Sequence, residues 1–189
     1  MVMPSGVTLD TFAAEVAVDL IRQMRDGMAA PELEARWVML VGWPGYAAWT
    51  SGEVLTELRR WPPQPDATIP DGLPADVQSV LSAFVEGRRH VDDLSARLAQ
   101  AQALRIADAA DRALALLPTG TPLQATVFVL LSGDRQGWAN NRAEVILDLL
   151  SIPATSAEQL TMPFVARNCS GPRAGRVGGR RVGRGAGAV

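Results

Sequence analysis

Apolar residues recur at helical spacing through the first two thirds of the chain. Leu9, Phe12, Val16, Leu20 and Met24 fall on one stripe and predict an amphipathic helix over residues 9–26, with Thr8 as its cap and Gly27 as its stop. A second helix is predicted from Pro31, whose ring suits a first turn, with Leu33, Trp37, Leu40 and Val41 as its apolar face. Gly42-Trp43-Pro44-Gly45-Tyr46 predicts a turn, and a third helix follows from Ser51, as cap, to Arg60. Prolines 62, 63, 65, 70 and 74 make residues 62–74 a loop or semi-rigid connection. Residues 75–117 predict one or two long helices, with Gly87 as the natural break and Asp93–Arg97 and Asp108–Arg112 as pairs four apart.

The period changes after Pro118-Thr119-Gly120-Thr121-Pro122, a run of turn formers. Ala125–Leu131 is β-branched and aromatic, with apolar residues on both faces, and predicts a strand buried within a sheet. Residues 132–141 are a connection rich in Gly, Asp and Asn. Residues 143–150 predict a second strand, giving a hairpin with a long loop. A helix competes for 143–150, because Glu144 and Asp148 are four apart. Ser156-Ala157-Glu158-Gln159 has the form of a capping box that opens a further helix, but Met162-Pro163 interrupts it.

Composition adds a discontinuity. All 18 basic residues are Arg, against 20 acids. Six of those Arg lie in residues 163–189 with no acid, which leaves 12 Arg against 20 acids before them, a net charge of −8. Residues 171–189 hold seven Gly and five Arg and cannot build a core. Two readings of this basic tail are open. One is a genuine Arg/Gly-rich disordered segment that binds nucleic-acid phosphates weakly. The other is out-of-frame sequence, because Gly, Arg, Ala, Pro and Val are what a GC-rich gene yields when the frame shifts.

Candidate chemistry is sparse. One His, His90, and one Cys, Cys169, exclude a two-His metal site and an internal disulfide framework. His90 follows Arg88 and Arg89, which fits a solvated position better than a proton carrier. Trp37, Trp43, Trp49 and Trp61 crowd the first third and fit core filling better than a ligand-stacking wall. No apolar run approaches the roughly 20 residues of a membrane span, and no signal peptide is visible, so a cytoplasmic protein is expected.

Pro44-Gly45-Tyr46, and Gly120-Thr121-Pro122-Leu123 followed by Asn141-Arg142-Ala143-Glu144-Val145-Ile146-Leu147-Asp148-Leu149, resemble uncharacterised bacterial zinc-dependent peptidase-like proteins of the gluzincin kind. The resemblance covers most of residues 9–160. It implies that the helix after the strands should carry His-Glu-x-x-His, with both His binding zinc and the Glu activating water. This chain has the approach to that helix and not the motif. No catalytic, cofactor-binding or metal-ligating residue can therefore be assigned, and zinc is expected only in an intact relative.

The expected fold is α+β and predominantly helical. Residues 1–162 are expected to form one mainly helical domain with a β-hairpin or small sheet near 124–150, and 163–189 a disordered tail. The expected function is that of the N-terminal part of a metallopeptidase-like protein, truncated or frameshifted before its zinc site and inactive as written. The alternative is a helical interaction or scaffold protein whose tail binds nucleic acid.

Overall fold

The computed structural model describes residues 6–64, 68–116, 118, 124–135, 137–140 and 142–154. The chain is α+β and mainly helical, as its periodicity predicts. It begins, however, with a strand that the helical stripe concealed, β1 (Gly6–Asp10). Helix α1 (Phe12–Arg25) starts only afterwards. Leu9 fits either period, and β-branched Val7 and Thr8 suit an extended backbone. Thr8 therefore caps nothing and instead sits opposite Thr126 in the sheet. The Asp10 carboxylate accepts the Phe12 amide at 3.0 Å, satisfying one of the free donors at the start of α1.

Helix α2 (Ala30–Val41) begins with Pro31 in its first turn. The turn expected over 42–46 is shorter than that, because Pro44 opens a further helix, α3 (Pro44–Trp49). Helix α4 (Gly52–Arg60) is capped by the Ser51 hydroxyl, which accepts the Val54 amide at 3.4 Å. Residues 75–117 hold three helices where one or two were expected: α5 (Ala75–Gly87), α6 (Val91–Gln102) and α7 (Ile106–Leu114). Gly87 does mark the first break, and a Cβ there would meet Ile21 and Leu94 at 3.0 Å. The second break, at 103–105, contains neither Gly nor Pro to announce it. Arg97 pairs with Asp93 at 2.7 Å as expected, whereas Asp108 takes Arg105 as its partner.

Strands β2 (Gln124–Leu130), β3 (Gly137–Ala139) and β4 (Glu144–Asp148) join β1 in one sheet of order β1-β2-β4-β3. The two strands expected to face each other as a hairpin, β2 and β4, are neighbours but run parallel. A hairpin exists within that stretch, and it is made by β3 and β4. The reason is topological. Parallel partners require the chain to travel back before the second strand starts. Here β3 is the return leg: the chain leaves β2, crosses the end of β4, runs back along its far side and reverses before Glu144. The Asn140 Oδ1 atom accepts the amides of Arg142 and Glu144 at 2.8 and 3.2 Å and so shapes that reversal.

β2 is buried on both faces, as its two-sided apolar pattern predicts. Gly45 brings α3 against it, so close that a Cβ would lie 2.7 Å from a Leu130 methyl. The core runs continuously from Ala13 in α1 to Ile152 beyond β4. Among the described residues no helix is long and apolar enough to cross a membrane. The capping box at 156–159, Cys169 and the tail 163–189 lie outside the described residues.

Candidate functional site

β1, β2 and β4 are parallel, so their carboxyl ends meet at one end of the sheet. In open sheets of this kind, ligands bind outside the carboxyl ends, where the loops diverge. Here that end carries Asp10, the crossing turn 132–135 and Asp148.

Asp148 ends β4 and is fully buried. Its Oδ2 accepts the Arg135 amide at 2.7 Å and its Oδ1 accepts the Leu150 amide at 3.0 Å. Its main-chain carbonyl accepts the Ser151 hydroxyl at 2.6 Å. One residue thus ties the crossing turn to the chain that leaves the sheet. Ser132 is buried beside it, and its hydroxyl favours the carboxylate without a well-formed hydrogen bond of its own. Burial pushes the Asp148 carboxyl above the usual carboxylate range, against the opposing pull of the Leu150 and Arg135 amides.

The turn is held from the helical side as well. The Tyr46 hydroxyl donates to the Leu131 carbonyl at 3.0 Å, and burial, helped by the Asp148 charge, pushes its pKa far up. Tyr46 therefore stays neutral and acts as a fixed donor. Trp49 stands edge-on to Tyr46 at 6.1 Å, and its indole N–H donates to Asp134 Oδ2 at 3.3 Å. Burial raises the Asp134 pKa first, the Trp49 bond opposes this, and the charges of Asp76 and Asp148 add to the rise.

The raised values of Asp134 and Asp148 fix the sign of a pH dependence. Their ionisation opposes folding. Stability from this source is fully present below the unfolded carboxylate value of about 3.9 and is lost as pH rises through the folded values. Asp134→Asn removes a charge near two other acids and keeps an oxygen for Trp49. The variant is expected to melt at a higher temperature than the parent at pH 8 and at the same temperature at pH 3.5. A thermal scan across that range that shows no pH-dependent gap would refute the assignment.

Two residues of the same turn are left-handed: Gly133, which adopts φ +82° at no steric cost, and Arg135, with φ +53°. A Cβ on Gly133 would lie 2.3 Å from the Ser79 carbonyl oxygen, so turn and α5 touch backbone to backbone. Beside this contact an open groove of about 340 Å³ runs between α5 and the turn, lined by Gln78, Ser79, Ser82 and Glu86 on one side and Gly133 and Arg135 on the other.

The residues singled out from sequence do not converge on this site. His90 precedes α6 and is exposed. Trp37 is core, edge-on to Phe84 at 5.0 Å with its indole N–H on the Leu58 carbonyl. Trp43 stacks on Phe12 at 4.1 Å and donates to Asp10 at 3.2 Å. Trp61 is 39% exposed and borders a separate apolar pocket with Pro63 and Pro70. The four indoles serve four places and form no common wall. Only Trp49 reaches the turn, through its bond to Asp134. Asp148, read from sequence only as lying four residues after Glu144 in the competing helix, was missed. Its signal was an acid inside Val-Ile-Leu-Asp-Leu-Leu, since an acid in a buried apolar run needs dedicated donors.

Among the described residues no three His, Cys, Asp or Glu side chains are grouped so as to hold a metal ion. No protein-family model, curated protein or solved structure matches this chain.

Proposed function

We propose that this chain is the scaffold portion of a metallopeptidase-like protein of the gluzincin kind, cut off from its zinc-binding helix by a frameshift or truncation and inactive as a peptidase. One observation carries the reading. The chain leaves β4 through a 3-10 turn, Leu149–Ser151, and in sequence the capping-box residues 156–159 follow. That is the place where a zinc-bearing helix would follow a small sheet with a short antiparallel edge strand. The abrupt change to Gly, Arg, Ala and Val after Pro163 supports loss of that helix from the reading frame. A cytoplasmic location goes with this reading, and a chain with one Cys needs no oxidising compartment.

The expected result is no stoichiometric zinc in the purified protein, and an open frame encoding His-Glu-x-x-His in the DNA past codon 160. One tightly bound zinc per chain would overturn the loss of the site. A downstream sequence without that motif in any frame would overturn the ancestry. The rival reading is a nucleic-acid-binding scaffold, and it rests on the six Arg of residues 163–189. It requires salt-sensitive binding that disappears when those residues are deleted.

A further inference from the structure

The groove beside the crossing turn has the features of a binding site in its own right. Its volume of about 340 Å³ falls within the range of small-ligand sites, and all its lining residues are described. It lies next to the carboxyl ends of two parallel strands, the position ligands favour in such sheets. Its walls carry opposite charges, Glu86 on α5 and Arg135 on the turn. Both side chains are exposed, and neither joins an ion pair among the described residues. Ser79, Ser82 and Gln78 line the same groove and add two hydroxyls and an amide. The Gln78 Nε2 donates to the Leu73 carbonyl at 2.9 Å, so its oxygen remains as an acceptor.

Arg135 is the only charged residue of the groove with a left-handed backbone. That conformation costs an ordinary residue about 1–2 kcal/mol, and strain of this kind collects where a side chain must be aimed. The bond from its amide to buried Asp148 fixes the base of the side chain. Along α5, Ser79, on which Gly133 rests, and Glu86 are seven residues apart, about 10 Å of helix. An extended chain advances at most about 3.3–3.6 Å per residue, so roughly three residues cover that distance.

We propose that this groove binds a short peptide of about three residues with both termini free. Its carboxylate meets the Arg135 guanidinium, its ammonium meets Glu86, and its backbone polar groups meet Ser79, Ser82 and Gln78. A guanidinium recognises a carboxylate by paired charge-assisted hydrogen bonds, and an exposed Glu accepts from an ammonium. This inference does not depend on the peptidase reading, because it uses no zinc and no residue beyond Leu150.

Titration of the full chain with tri-alanine, followed by calorimetry or by amide shifts of residues 133–135, tests it. Saturable binding is expected, with the N-acetylated, C-amidated tripeptide at least about tenfold weaker. Arg135→Gln and Glu86→Gln are each expected to weaken binding by about tenfold or more, with unchanged melting temperatures because both side chains are exposed. Absence of saturation up to about 10 mM, equal binding of the blocked peptide, or variants that bind like the parent would each overturn the proposal. Displacement of the tripeptide by an equal concentration of inorganic phosphate would also overturn it, since that would reveal an anion site only.

Discussion

Gly133→Ala is expected to destabilise the protein by roughly 2–5 kcal/mol. Two costs combine. The added methyl must tolerate φ +82°, which disfavours any residue with a Cβ by about 1–2 kcal/mol. It must also displace the Ser79 carbonyl, which lies 2.3 Å from where the methyl would sit. That oxygen belongs to the backbone of α5 and cannot rotate away, so overpacking adds about 1–3 kcal/mol. Gly72→Ala separates the two costs. Gly72 has φ +88° with nothing within 4 Å of the added carbon, so its loss is expected to be only about 1–2 kcal/mol. Urea unfolding of both variants measures the difference. Equal losses would mean that the turn is not seated on α5 as described.

Asp148→Ala is the second large effect, an expected loss of roughly 2–4 kcal/mol. The substitution strands the amides of Arg135 and Leu150, each worth about 1–3 kcal/mol when buried without an acceptor. Removal of a buried charge returns part of that cost, which is why the figure falls below the simple sum. Asp148→Asn is expected to be intermediate. Its single oxygen can serve one amide, while its NH₂ group faces the other donor. Hydrogen exchange gives a local readout: the amides of residues 135 and 150 should lose protection together in the Ala variant, and only one of them in the Asn variant. Parent-like stability in both variants would show that the carboxylate does not hold the crossing turn.

Both effects meet at one place, the point where the chain passes over the end of β4. A parallel pair joined by so short a connection has little freedom, because the return strand must fit along the outer edge of the second strand. The buried carboxylate, the neutral Tyr46 donor and the backbone contact at Gly133 fix that passage from three sides. The same constraint aims Arg135 at the groove. A structural requirement of the topology thereby becomes a property of a candidate binding surface.

Much of the architecture was legible in local sequence. The Pro31 and Ser51 helix starts, the Gly87 break and the buried character of β2 all appear where residue chemistry places them. These features depend on a few neighbouring residues: a ring that fixes φ, a hydroxyl that caps an amide, an alternation that buries two faces. The short strand β1 was not legible, because five residues can satisfy a helical or an extended period, and only pairing with Thr126 and its neighbours decides. The direction of β4 was hidden for a related reason. Side-chain alternation is the same in parallel and antiparallel strands, so the pattern identifies a strand without its orientation.

The candidate site divides in the same way. An acid within Val-Ile-Leu-Asp-Leu-Leu is visible in the sequence as a residue in need of partners. The identity of those partners, two main-chain amides from opposite sides of a chain crossing, is not, since an amide carries no sequence label. The sequence by itself determined most of the helical segments and the strand character of β2 and β4, the absence of a second His for a zinc pair, and the break in composition near residue 163. Tertiary structure alone decided that β2 and β4 run parallel, that the turn between β2 and β3 rests on α5, and that Arg135 and Glu86 face one groove. Periodicity is local and fixes the longer elements; short strands, direction and juxtaposition depend on contacts between residues far apart in the chain.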